Sequence, residues 1–280
     1  MAEPRILLND LAIGESPRWH DGRLWFAHWI AQEVVAVDDE GVSEVILRVP
    51  FETIPFSIDW LPDGDLLIAS GSDRPLLRRR ADGSLVAHGA VERGCNEIVV
   101  DGRGNAYLNG VGFDIMAGAP FAPGGITLVT PDGGTRRVAE GIAFPNGMAV
   151  TPDGGTLIVA DSWGRKLTAF DIAADGDLGP ARVWADLGDG SPDGICLDAD
   201  GAVWYADVPN RRCVRVREGG EVLQTVEVDR GCFACMLGGH DGRTLFILAA
   251  EWHGFEAMAD PRRTGRLLGI AVDVPHAGRP

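Results

Sequence analysis

Asn146-Gly-Met-Ala-Val150 runs into Pro152-Asp153-Gly154 and then into Leu157-Ile-Val-Ala-Asp161: an apolar run, a turn and a second apolar run in close succession. Runs of branched and apolar residues bounded by Gly, Pro and Asp read as strands, and Asp-Gly supplies the positive backbone angles of a tight hairpin. The unit recurs. Phe56-Ser-Ile-Asp-Trp60 leads to Pro62-Asp63-Gly64, Asn96-Glu-Ile-Val-Val100 to Asp101-Gly-Arg-Gly104, Asp193-Gly-Ile-Cys-Leu197 to Asp200-Gly201, and Ala234-Cys-Met-Leu237 to Asp241-Gly242. In these five units the glycine stands 8 residues after the leading residue, whereas Glu15 precedes Gly22 of Asp21-Gly22 by 7.

Each turn is followed by a second strand: Leu24-Trp-Phe-Ala-His28, Leu66-Leu-Ile-Ala-Ser70, Asn105-Ala-Tyr-Leu-Asn109, Leu157 to Asp161, Val203-Trp-Tyr-Ala-Asp207 and Leu245-Phe-Ile-Leu-Ala249. The leading positions 15, 56, 96, 146, 193 and 234 are 41, 40, 50, 47 and 41 residues apart. That period is the length of a four-stranded propeller blade. The spacing predicts an all-β chain, a six-bladed β-propeller with four-stranded blades forming a single domain over residues 1–280, with almost no helix. The last unit ends in Gly265-Arg-Leu-Leu-Gly-Ile-Ala-Val272, and Arg5-Ile-Leu-Leu8 is expected to complete its sheet, leaving no frayed edge.

Composition agrees. With 45% hydrophobic residues the chain can bury a core, and no Pro/Ser-rich or charged linker divides it. A formal charge of −16 argues against nucleic acid, whose phosphates require clustered cations, and suits a bound cation. The start lacks a basic region followed by an apolar stretch, and no run of 18 apolar residues occurs, so a cytoplasmic protein with no membrane segment is expected. Cys95, Cys196, Cys213, Cys232 and Cys235 lie in or beside apolar runs and read as core residues; Cys232-Phe-Ala-Cys235 has no second pair with which to form a zinc site.

Strand direction decides what lies near what. If each innermost strand starts at the upper face, Glu15, Phe56, Asn96, Asn146, Asp193 and Ala234 form an axial ring, and the ends of the second strands bring His28, Ser70, Asn109, Asp161 and Asp207 to the same rim. A polar residue alone in a propeller channel needs no more than water. Four oxygen-bearing side chains among six ring positions, two of them carboxylates, are better explained by a cation, because paired carboxylates without one repel and raise a pKa. Carboxylate and amide oxygens are hard ligands, suited to Ca²⁺ first and also to Mg²⁺ or Mn²⁺, with Zn²⁺ an alternative.

Gly14-Glu15-Ser-Pro-Arg-Trp19, Asn96 to Gly104, Phe144-Pro-Asn146-Gly-Met-Ala-Val-Thr-Pro-Asp153 and Ser191-Pro-Asp193-Gly194 together resemble the gluconolactonase, regucalcin and senescence-marker-protein family of six-bladed propellers over nearly the whole chain. The resemblance implies one divalent metal held by Glu15, Asn146 and Asp193, Asn96 on its substrate side, and hydrolysis of a lactone. Asp193 is then the first choice of general base, with Asp207 and His28 as reserves at the rim. His28 has a structural alternative, packing beside Trp25 and Trp29 or bonding a blade neighbour.

Two long upper loops should choose the substrate: Gly110 to Gly124 and Glu251 to Asp260. Phe113, Met116, Phe121, Trp252 and Phe255 are expected as an apolar wall, with Asp114 and Asn109 offered to substrate hydroxyls. The sugar-lactonase pattern carries an Arg two residues before the ring Asn, whereas this chain reads Gly94-Cys95-Asn96-Glu97. That departure shifts the expected substrate toward a less polar lactone or ester.

Other chemistries fail. Ala160-Asp-Ser162-Trp-Gly164 lacks the first glycine and the strand-turn-helix setting of a nucleophile elbow. Asp171-Ile-Ala-Ala-Asp175-Gly-Asp177 lacks the final Glu of a calcium loop, and no phosphate-binding Gly-Lys phrase occurs. The alternatives to a lactonase are a non-catalytic, metal-stabilised propeller that binds a ligand or protein, and another metal-assisted reaction such as phosphotriester cleavage or a rearrangement. Oligomeric state is open.

Overall fold

The structure is a computed structural model describing residues 3–72, 75–91, 94–115, 117–258 and 262–278. Six four-stranded antiparallel sheets follow one another along the chain, each running outward from an inner strand. The inner strands are Gly14–His20, Phe56–Trp60, Glu97–Val100, Pro145–Val150, Pro192–Leu197 and Gly231–Gly238, here the first strands of blades one to six. Each contains the leading residue of a repeat or, for Asn96, begins immediately after it. In blade six the outermost strand is N-terminal: Arg5–Leu11 pairs with Gly265–Ala271 through Arg5 opposite Gly269 and Leu11 opposite Gly265. Covering that edge with the chain's own start ties the first and last blades together. Among the described residues the sole helical element is a 3₁₀ turn, Phe255–Ala257.

Alternation along the strands puts apolar side chains on both faces of each blade, so the core is a set of wedges between neighbouring blades. Phe56, Ile58 and Ile68 meet Val34 and Trp29 between blades one and two, and Ile158 and Ala169 meet Ile195 and Tyr205 between blades four and five. The largest wedge joins blade six to both neighbours and contains Cys196, Cys213, Cys232 and Cys235. All five cysteines are buried free thiols.

The lower turns explain the one-residue irregularity of the first unit. In blade one Asp21 and Gly22 both have positive φ, 48° and 71°, and form a two-residue loop between paired His20 and Arg23. At the corresponding turns of blades two to five only the glycine is positive, for example Gly64 at 90°, and its N–H returns to the carbonyl three residues back, Leu61 at 2.9 Å. That geometry accepts an ordinary residue before the glycine but needs a longer loop.

The inner strands differ at their upper ends. Those of blades two and three pair without interruption. In blades one, four, five and six the register slips by a residue, between Glu15 and Arg18, Pro145 and Met148, Pro192 and Ile195, and Cys232 and Ala234. A bulge bends its strand and re-aims a side chain. Three of these four bulges lie at or beside Glu15, Asn146 and Asp193. The glycines after two of them permit close approach: a Cβ on Gly147 would lie 2.5 Å from the Asp193 carbonyl oxygen, and one on Gly194 2.5 Å from the Ala234 Cβ.

Candidate active site

Glu15, Asn96, Asn146 and Asp193 line one cavity of about 240 Å³. The other two ring positions do not: both are wholly buried, Phe56 in the wedge between blades one and two and Ala234 against the Gly194 backbone. Ser162 and Ser191 add hydroxyls, and Trp29, Phe144, Trp163, Phe233, Trp252 and Phe255 supply most of the apolar lining.

The amides hold one another. Asn96 Nδ2 donates to Asn146 Oδ1 and to the Pro145 carbonyl, both at 3.2 Å, while Asn146 Nδ2 donates to Ser162 Oγ at 3.4 Å. Asn146 thus has its nitrogen toward Ser162 and its oxygen toward Asn96. Ser162 Oγ in turn donates to the Pro192 carbonyl at 2.6 Å, linking blade four to the strand that carries Asp193. Its proton is thus committed to backbone, and no His is among the described lining residues to form a Ser–His pair with it.

Burial and neighbouring charge raise the pKa of both carboxyls. Burial pushes Glu15 well above the usual carboxylate range, Asp193 and Glu97 add to the shift, and the Ser16 N–H and Arg18 oppose it more weakly. Asp193 is also well above its ordinary value, through burial first and then Glu97. Arg18 is engaged elsewhere: its side chain is buried with Nη2 3.3 Å from Glu97 Oε1 and Nε 3.6 Å from Asp59 Oδ1, and it donates to the Ile98 carbonyl. Ser16 Oγ also donates to Glu97 Oε1 at 2.9 Å, and Asp59 Oδ2 accepts from the Val100 N–H at 2.7 Å. A buried ion cluster across the inner strands of blades one to three therefore lies beside the cavity's carboxylates.

This donor set fits a hard divalent cation. Glu15 and Asp193 offer anionic oxygens whose mutual repulsion such an ion would relieve, and Asn146 offers a neutral one. Among the described residues no three His, Cys, Asp or Glu side chains are grouped to hold an ion by themselves.

The remaining expected substrate contacts are placed elsewhere. His28 is buried behind the cavity, with Nε2 accepting from the Ala12 N–H at 3.0 Å and Nδ1 3.8 Å from Glu33. Asn109 is spent on backbone, accepting from the Glu97 N–H at 3.3 Å and donating to the Asn146 carbonyl at 2.5 Å. Asp207 is wholly buried against Asn210, at 2.9 and 3.0 Å, and Arg212 Nε, at 3.1 Å. All three lie toward the ends of second strands, about 4.8 Å further out than the inner strands; His28 and Asp207 hold neighbouring loops, and Asn109 ties together the inner strands of blades three and four. Asp114 is exposed and accepts from the Ala117 N–H at 2.9 Å, closing its own loop. Phe113 stands one layer out, its ring 5.4 Å from that of Trp163. Trp252 and Phe255 do line the cavity; Phe121 stacks on Trp163 at 5.8 Å, and Met116 lies outside the described residues.

Sequence reasoning passed over Arg18, Glu97, Phe144 and Trp163. The signal for the first two was a charge inside an otherwise apolar inner strand. For the aromatics it was position, next to Pro145-Asn146 and just after the second strand ending at Asp161.

Comparison with known proteins places this geometry in a family. The chain is 26% identical over 291 residues to the 6-deoxy-6-sulfogluconolactonase of Pseudomonas putida, covering 98% of this chain and 96% of that protein. It is 27% identical to the regucalcin of Xenopus laevis, with 88% and 85% covered. The crystal structure of a calcium-binding protein, regucalcin, from Agrobacterium tumefaciens superposes with a TM-score of 0.81 at 23% identity, covering 100% of this chain and 99% of the other. The sequence profile of the SMP-30/Gluconolactonase/LRE-like region matches residues 13–251, and the chain belongs to that family.

Proposed function

We propose that the protein is a divalent-metal-dependent lactonase, with Glu15, Asn146 and Asp193 as metal ligands and Asp193 as general base. The observation that carries the reading is the pair of mutually repelling carboxylates brought together with two amides in one aromatic-lined cavity. Its family membership and the lactonase among its relatives support the reaction type. The regucalcin neighbour, described as calcium-binding, supports Ca²⁺ as the first ion to try.

A bound divalent ion would supply a Lewis acid for the ester carbonyl and lower the pKa of a nearby water. The chain's own residues do the rest. Asn96, its amide nitrogen donating to Asn146 and to the Pro145 carbonyl, borders the cavity and offers its side-chain oxygen as an acceptor for a substrate group. The Asp193 carboxylate accepts a proton from the water as its oxygen bonds to the carbonyl carbon, and the tetrahedral adduct collapses by breaking the ring C–O bond. The proton held by Asp193 passes to the departing alkoxide, leaving a hydroxy acid and a base ready for the next turn. The aromatic wall excludes bulk water and so strengthens these interactions.

The test is metal removal. Chelated protein that keeps its circular dichroism spectrum should lose lactone hydrolysis and regain it on adding Ca²⁺, Mn²⁺, Mg²⁺ or Zn²⁺; undiminished turnover in the folded, chelated protein would refute the metal's role.

A further inference from the structure

The main cavity has a neighbour. A second chamber of about 110 Å³ shares Asn96, Phe144, Phe255 and Met258 with it and extends between the upper loops of blades two and three. Its remaining walls are Ile54, Pro55, Val111 and Ile115, with Cys95 and the backbone at Gly71 and Gly94. Asn96 is the one side chain there with a strong hydrogen-bonding group, and no Lys, Arg, His, Asp or Glu is among the described lining residues. The backbone itself keeps side chains out: a Cβ on Gly94 would fall 1.8 Å from the Gly71 carbonyl oxygen, and one on Gly71 2.6 Å from Pro55 Cδ. A hydroxyl-bearing chain entering this space would lose its hydration and find few partners, whereas a hydrocarbon chain loses nothing.

The main cavity is equally selective above its polar floor. Its described lining contains no cation to receive a sulfonate, phosphate or carboxylate. Trp163 stacks on Phe144 at 5.0 Å, Phe144 meets Phe255 at 5.9 Å, and Phe255 meets Trp252 edge-on at 5.1 Å, forming an arc of rings around the opening. Trp163 and Phe121 remain 44% and 56% exposed, an apolar lip of the kind that marks a binding site.

Resting on the lactonase reading above, we infer that the substrate is an uncharged lactone carrying an apolar arm of a few carbons. The ester lies over Glu15, Asn96, Asn146 and Asp193, and the arm occupies the chamber beyond Phe255 and Met258. Asn96, which borders both spaces, marks the junction between ring and arm. An apolar cavity of about 150 Å³ holds benzene, so a chamber of this size suits a short alkyl arm.

The experiment compares kcat/KM for γ- and δ-lactones bearing alkyl arms of increasing length with that for D-glucono-1,5-lactone, using metal-loaded protein. Efficiency should rise about tenfold for each seated methylene and fall once the chamber is full. Val111→Phe, which fills the chamber, should lower the ratio of long-arm to unsubstituted lactone at least about tenfold. Ile115→Ala, which enlarges it, should move the optimum to a longer arm; because it only removes atoms, it reads the chamber even if Val111→Phe fails to fold. Gluconolactone opened as efficiently as the best alkyl lactone, or no dependence on arm length, overturns this inference and leaves the lactonase reading intact. No turnover of any lactone with any of the four ions overturns both.

Discussion

The floor of the cavity stands on β-strand, while its mouth stands on connecting segments. Glu15, Asn146 and Asp193 project from bulged inner strands, and Asn96 immediately precedes the unbulged inner strand of blade three. Trp163 and Trp252 follow the ends of second strands, Phe121 lies in the loop before Gly124–Val129, and Phe255 begins the 3₁₀ turn. The floor is polar and fixed by hydrogen bonds between blades; the mouth is aromatic and held by ring contacts. Chemistry that needs oxygens held in place is thus built on the rigid lattice, and recognition is left to segments free to vary.

Separating floor from mouth should separate kcat from KM. Asp193→Asn retains shape but removes the base and an anionic ligand, so kcat should fall about 10³-fold or more with KM for an alkyl lactone changed far less, as steady-state kinetics would read. If the loss instead sits wholly in KM, Asp193 only binds.

Beside the floor, Arg18→Ala would leave the buried Glu97 and Asp59 without their guanidinium. Loss of one partner of a buried ion cluster costs about 3–5 kcal/mol, which urea denaturation would measure. A change below about 1 kcal/mol would mean that the cluster contributes little to holding blades one to three together.

At the mouth, Trp163→Ala should raise KM for an apolar lactone about tenfold while leaving kcat within about twofold, the signature of lost uniform binding. A matching fall in kcat would show that the mouth also positions the ester, and would blur the division.

The smallest effect is a pH slope. Glu15 and Asp193 hold their protons above the ordinary carboxylate range of about 4 when folded, so in that window the metal-free folded protein binds more protons than the unfolded chain. Stability contributed by these groups is therefore present at low pH and lost as pH rises through their raised values. Melting temperatures of chelated wild type should fall relative to Glu15→Gln from pH 4.5 to 8, and added divalent ion should cancel the difference. Parallel curves would mean that the two carboxyls do not repel in the folded protein.

Much of the floor was legible because a propeller converts sequence period into angular position. Glu15, Asn96, Asn146 and Asp193 share a cavity since each stands at the start of an inner strand. The same logic failed for His28, Asn109 and Asp207, which are at the right height but one strand too far from the axis, where His28 and Asp207 hold loops and Asn109 bonds the backbone of two inner strands. Asp114 failed differently, through a local bond to the Ala117 N–H that no repeat predicts.

By itself the sequence determined the blade count, the strand order within each blade and the ring of polar leading residues, because turns and alternation are local properties repeated at nearly constant spacing. Tertiary structure alone decided that Arg18 lies against Glu97 and Asp59, and that Phe144 and Phe255 close both chambers. It also decided that Gly71 and Gly94 leave a space without room for a further side chain. Those contacts join residues from different blades, and their distances depend on how the wedges pack, which no period in the chain encodes.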